Sequence, residues 1–124
     1  MICATLVWDV DDVLNDLMRL WLEDQWLPDH PECTLCYQDI IENPLHKILD
    51  IEKRECLESL DTYRLQSFAH MSPNDEVLYW FKQYGHLFRH ITLTATPLRT
   101  AHLSAAWVMK HFGHLDSYFS CCTF

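Results

Sequence analysis

Apolar and polar residues change rhythm several times along this chain, and each change predicts an element. Residues 2–8, ICATLVW, form a continuous apolar run rich in β-formers and bounded by charge, which predicts a short, fully buried strand. From Val13 to Leu27 the period becomes helical, with Leu14, Leu17, Met18, Trp21 and Trp26 on the apolar stripe. The segment LPDHPECT, with its two prolines, breaks that helix. Asn43-Pro44 reads as a helix cap followed by proline at the first helical position. Leu45, Ile48, Leu49, Cys56, Leu57 and Leu60 then carry an amphipathic pattern to about Leu65, with a break near Asp50.

The last stretch, from Ser72, repeats itself. SPNDEVLYWFKQYG opens on Ser-Pro with an acidic residue at the capping-box position and stops at Gly85; HLFRHITLTA follows as a strand. TPLRTAHLSAAWVMKHFG opens on Thr-Pro and stops at Gly113, and HLDSYFSCCTF follows as another strand. These are the chain's two glycines, placed where a helix end calls for a left-handed residue. A strand, a mostly helical insertion and two helix–strand units predict an α/β fold with a short parallel sheet flanked by helices. The division is a Rossmann-like core of residues 1–14 and 72–124, interrupted by a helical insertion over 15–71.

Composition narrows the function. Apolar residues make up 49% and aromatics 13%, as in a globular domain. A formal charge of −9 argues against nucleic-acid polymers and anionic membranes, both of which demand clustered Lys and Arg. No stretch approaches a membrane span, and the apolar run before Asp9 is too short and lacks the basic flank of a signal peptide, so the expectation is a cytoplasmic protein. Six cysteines include Cys33-x-x-Cys36 and the adjacent Cys121 and Cys122. A zinc site would need a second ligand pair such as His111 and His114, or Cys121 and Cys122; free buried thiols are the expectation.

The candidate chemistry lies where strands end. In open α/β sheets ligands bind beyond the carboxyl ends of the strands. Asp9, Asp11 and Asp12 follow the first strand, and Thr94, Ala95 and Thr96 follow the second. Three like charges there are explained by a hard cation, since Mg²⁺ commonly uses one or two carboxylates plus phosphate oxygens. One carboxylate can then attack phosphorus while the other handles the leaving-group proton. Thr94 can donate to a phosphate oxygen, and the helix opening at Thr96-Pro97 adds backbone donors. The structural alternative is that Asp12 or Asn15 merely caps the next helix. The aromatic residues Trp21, Trp26, Trp80, Phe81 and Trp107 fall at apolar helix positions and are assigned to the core.

LVWDVDDVLND followed by ITLTATP resembles the haloacid dehalogenase (HAD) superfamily of aspartate-nucleophile phosphatases, in the branch of 5′-deoxyribonucleotidases with a helical cap inserted after strand one. The first motif maps onto Asp9, Asp11, Asp12, Val13 and Leu14, with Asp12 where glycine is commoner. The resemblance implies a HAD-type fold with a cap, and Mg²⁺-dependent hydrolysis of a phosphomonoester through an aspartyl-phosphate. It implies Asp9 as nucleophile, Asp11 as general acid and base, and both at the metal. It also implies Thr94 on the phosphate, with Ala95 and Asp12 beside the substrate, a small phosphorylated molecule such as a nucleotide.

Two features of that family have no counterpart at the expected place. A third-motif lysine and a fourth-motif acidic pair normally follow the third strand, whereas after Thr94 there are only Lys110 and Asp116. The expectation is therefore a shortened phosphatase or a short relative that has lost half its site, with a homodimer covering the open edge of strand one. The main alternative is a non-catalytic phosphate- or metal-binding, or protein-interaction, module on a degenerate scaffold. A response-regulator receiver would account for Asp11, Asp12, Thr94 and Lys110, but requires Asp50 or Asp61 to end a central strand.

Overall fold

The structure, a computed structural model, describes residues 3–40, 44–113 and 118–123. In chain order the elements are β1 (Thr5–Trp8), α1 (Leu17–Trp21), a π-helical turn (Leu22–Trp26), α2 (Leu27–Asp29), a 3₁₀ turn (Tyr37–Asp39) and α3 (Leu45–Ile48). There follow α4 (Lys53–Ser67), α5 (Asp75–Tyr84), a 3₁₀ turn (Gly85–Leu87), β2 (Arg89–Thr94), α6 (Leu98–Phe112) and β3 (Tyr118–Thr123). The chain divides into two compact units, Met1–Asp16 with Ser67–Phe124, and Leu17–Gln66. The inserted unit thus runs over 17–66, where the sequence pattern places it at 15–71.

The first unit is mixed α/β. Its three strands are parallel in the order β1-β2-β3, with Thr5 opposite Arg89, Trp8 opposite Thr92, and Thr94 opposite Thr123. The strand expected over 2–8 is shorter, and it is not fully buried: Thr5 is exposed and Val7 is 60% exposed. The reason is position. Among the described residues β1 pairs only with β2, so it lies at a sheet edge.

Aromatic residues fill this unit's core. Phe81 of α5 packs on Phe112 of α6 at 4.9 Å and on Trp8 at 5.0 Å, and Phe68 meets Trp107 at 6.4 Å. Trp80 is only half-buried. Buried His90 is held from both sides: the Trp8 indole N–H donates to its Nδ1 at 3.1 Å, so the ring hydrogen sits on Nε2 and donates to the Gly85 carbonyl at 2.6 Å. Trp107 donates in turn to the Met71 carbonyl at 2.7 Å.

The second unit is helical and is organised by two tryptophans. Trp21, Leu22, Trp26, Leu45, Cys56 and Leu60 form its buried cluster, and the Trp21 indole donates to Ser59 Oγ at 2.9 Å. The predicted continuous helix from Val13 does not start until Leu17, and its centre is a π turn. Bonding from i to i+5 brings residues five apart onto one side, which lets both Trp21 and Trp26 face the cluster. Their rings lie 5.4 Å apart.

Neither glycine is left-handed. Gly85 (φ −56°) opens a 3₁₀ turn, and Gly113 (φ −65°) continues the helical conformation. Gly113 is needed for space, since a Cβ there would come within 2.7 Å of the Met109 carbonyl oxygen. Among the described residues the left-handed ones are Asp12 (φ 64°) and Asp50 (φ 54°), and Asp50 lies in the break between α3 and α4 that the pattern predicted. Asn43, the predicted cap of α3, lies outside the described residues; Pro44 stands at the cap position. Asn74, not Ser72, caps α5, its Oδ1 accepting from Glu76 N–H at 3.1 Å. Among the described residues, no helix is long and apolar enough to cross a membrane.

Candidate functional site

The segment after β1 turns sharply instead of continuing into a helix. The Val10 carbonyl accepts from Val13 N–H at 3.3 Å and Leu14 N–H at 2.9 Å, which closes the turn. Val10 and Leu14 are buried, so the backbone between them is pinned at two apolar points. Asp12 lies at the crest of the turn, exposed and left-handed. That conformation explains why glycine suits this position: a residue with a Cβ pays a steric penalty there that Asp, with its short polar side chain, tolerates better than most.

Asn15 holds the turn from inside. It is fully buried; its Oδ1 accepts from Asp12 N–H at 3.1 Å and its Nδ2 donates to Asp11 Oδ1 at 3.4 Å. Asp11 is half-buried and reaches across to the neighbouring strand end, where Thr96 Oγ1 donates to its Oδ2 at 3.5 Å. Thr96 in turn shares a 2.8 Å hydrogen bond between hydroxyls with Thr94, and its backbone N–H donates to Thr94 Oγ1 at 3.2 Å. The bonds from Asn15 and Thr96 to Asp11 are long, so they orient the carboxylate more than they strengthen it.

Asp9 stands apart from this network. It is exposed at the end of β1, and its Oδ1 accepts from Val10 N–H at 2.8 Å. Ala95 is exposed between the two buried threonines. Of the residues expected at the site, Asp11 and Thr94 therefore join one hydrogen-bonded cluster. Asp9, Asp12 and Ala95 lie on the same strand-end segments and face outward.

Asn15 and Thr96 are the members that sequence reasoning gave other roles, Asn15 as a helix cap and Thr96 as a helix opener. Pro97 is the cap position of α6, and Thr96 faces Asp11. A signal for Thr96 was present: Thr92, Thr94 and Thr96 recur with the period of a strand, and all three are buried. For Asn15 the signal is weaker, an amide four residues after Asp11, whose meaning depends on the left-handed turn between them.

Other candidates sit elsewhere. Lys110 lies in the last turn of α6, about 20 Å from the end that follows Thr96 at 1.5 Å per residue. His114 and Asp116 lie outside the described residues, as do the side chains of Cys121 and Cys122. Asp50 sits in a loop, and Asp61 is buried in α4 against Arg64 at 2.7 Å, so neither ends a strand as a receiver would require. The expectation of buried free thiols is corrected in part: Cys56 is buried, Cys33 is half-buried, and Cys3 and Cys36 are exposed. The Cys36 N–H and thiol both donate to Asp39, which holds that carboxyl below its usual range.

At the ends of β1 and β2 the described side chains offer carboxylate, hydroxyl and amide oxygens, a set that suits a hard cation. Among the described residues no three His, Cys, Asp or Glu side chains converge as a metal site. Mg²⁺ asks less, since one or two carboxylates with phosphate oxygens suffice, and the Asp9 carboxylate with the Asp11 backbone carbonyl would be the protein's ligands. No family model matches this chain, and no curated protein matches it either.

Proposed function

We propose that the strand-end site serves a phosphomonoester hydrolase of the HAD type, working through an aspartyl-phosphate. The observation that carries this reading is the link from Asp11 across to Thr96 and Thr94, which joins the carboxyl ends of β1 and β2. It brings an oriented carboxylate and two hydroxyls together on the strand-end segments that also carry the exposed Asp9.

In the first step an Asp9 carboxylate oxygen attacks phosphorus and the ester P–O bond breaks. Asp11, protonated, gives its proton to the departing alkoxide. In the second step Asp11 takes a proton from water, whose oxygen attacks the same phosphorus; the Asp9–phosphate bond breaks and inorganic phosphate leaves. Thr94, its hydroxyl turned from Thr96 to the ligand, and the backbone N–H groups opening α6 would hold phosphate oxygens. Bound Mg²⁺, held by Asp9 and Asp11, would offset the negative charge that phosphate brings to this acidic edge. The substrate class is a small phosphorylated molecule, and a second copy of the chain is the proposed cover for the exposed β1 edge.

A second reading is favoured by one observation, the distance of Lys110 from the site. With the one lysine after Thr94 at the far end of α6, the scaffold would bind phosphate or metal without turnover. The test is hydrolysis of 4-nitrophenyl phosphate with and without Mg²⁺, alongside Asp9→Asn. Activity that needs Mg²⁺ and falls at least about a thousandfold in Asp9→Asn, as for a lost nucleophile, supports the hydrolase. Phosphate binding by the native chain with no turnover supports the second reading and removes the first.

A further inference from the structure

The helical unit contains a cavity of about 230 Å³ between α3, α4 and the start of α1. Its wall is apolar, built by Met18, Leu45, Cys56 and Leu60, and the polar side chains on it are His46 and Lys53. Nothing in the phosphoryl chemistry proposed above uses these residues.

Three properties of the cavity define what it can take. The first is size: an engineered aliphatic cavity of about 150 Å³ stays dry and admits benzene, so one ring with a small substituent matches this one. Wall chemistry is the second. Burial pushes the Cys56 thiol up, helped by the Glu55 carboxylate, so the sulfur presents itself as a neutral, polarisable surface. The third is charge. In a chain with 18 acidic and 9 basic residues, this wall has, among the described residues, a lysine and a histidine and no carboxylate. Lys53 is also the first residue of the 15-residue helix α4, whose exposed N–H groups favour negative charge at that end.

We infer that this cavity binds a small aromatic or short-chain carboxylate, its apolar body against Met18, Leu45 and Leu60 and its carboxylate toward Lys53 and His46. The arrangement follows the usual economy of ligand pockets, an apolar lining with a few polar groups that fix orientation. Recognition of the anion is modest because Lys53 is exposed.

The experiment is an amide-resolved NMR titration of the full chain with sodium benzoate, benzyl alcohol and benzylamine. Benzoate is expected to shift amides of α3 and α4 saturably, benzyl alcohol to do so more weakly, and benzylamine not to bind. Lys53→Gln should weaken benzoate about threefold, as for one exposed ionic contact, and leave benzyl alcohol unchanged. Leu60→Trp should fill the space and abolish both. Shifts elsewhere, no saturable shifts, equal affinity for benzylamine, or a benzoate affinity indifferent to Lys53→Gln would each overturn the inference. The native-chain titration decides even where Leu60→Trp fails to fold.

Discussion

The strand-end turn of the sheet unit and the tryptophan cluster of the helical unit are built on opposite principles. In the turn, side-chain oxygens and amides hold short backbone stretches in place: Asn15 binds Asp12 and Asp11, and Thr96 binds Asp11 and Thr94. In the cluster, Trp21, Leu22, Trp26, Leu45, Cys56 and Leu60 exclude water, with one indole hydrogen bond to Ser59. A turn held by directional bonds fixes the orientation of a carboxylate, which chemistry at phosphorus needs. A cluster held by packing leaves room where shapes fail to interlock, and that is where the cavity lies. The difference teaches that orientation and volume, the two things a ligand site requires, come from different residue classes in this chain.

The comparison is sharpened first by removing the largest packed side chain. Trp21→Ala is expected to cost about 3–5 kcal/mol, read as a shift in urea midpoint, because the ring is fully buried and Ser59 Oγ would keep only the longer 3.3 Å bond from Gln25. A loss under about 1 kcal/mol would show that packing does not organise the helical unit as described.

Asn15→Ala comes next, at about 1–3 kcal/mol, since it removes the bonds to Asp12 N–H and Asp11 Oδ1 and empties a fully buried position. Asn15→Asp, which keeps the acceptor for Asp12 N–H but sets a carboxylate beside Asp11, should be no better. Equal stability of Asn15→Ala and the native chain would break the claim that hydrogen bonds hold the turn.

Asp12 tests the same claim through the backbone. Asp12→Val should cost about 1–2 kcal/mol, because a β-branched residue is strained at φ 64°. Asp12→Gly should stay within about 1 kcal/mol of the native chain, relief of strain being offset by a freer unfolded chain. A Val variant as stable as the Gly variant would mean that the turn adapts.

The smallest effect concerns pH. The Cys56 thiol is raised in the fold from its ordinary value of 9.0. The unfolded chain therefore loses that proton first as pH rises. The associated stability is fully present below pH 9.0 and is lost as pH climbs through the higher folded value. Denaturant midpoints measured on either side of that pH should show a decline that Cys56→Ala reduces. An unchanged decline in Cys56→Ala would assign it to other groups.

Much of the element order was legible in the sequence because it rests on local rules. Apolar periodicity located β1, β2 and β3 as well as α4, α5 and α6, and the break near Asp50 appears as a left-handed residue. The two strand ends with their aspartates and threonines were legible too, because parallel sheets present ligands at that edge. The helix after β1 was misjudged. Its apolar stripe continues back to Leu14, but Leu14 is spent on closing a turn onto the Val10 carbonyl. The glycines were misjudged for a related reason: a glycine after a helix signals either left-handed backbone or close approach, and only the packing of Gly113 on Met109 tells which.

By itself, then, the sequence determined which segments are strand or helix and which oxygens lie at the strand ends, since both follow from patterns a few residues long. Tertiary structure alone decided that Asn15 and Thr96 join Asp11, that β1 is an edge strand with Val7 exposed, and that an apolar cavity opens beside Cys56. These depend on segments meeting at ångström precision, Thr96 with Asp11 across 85 positions and Asn15 with Asp11 through a left-handed turn, where periodicity carries no information and packing geometry carries all of it.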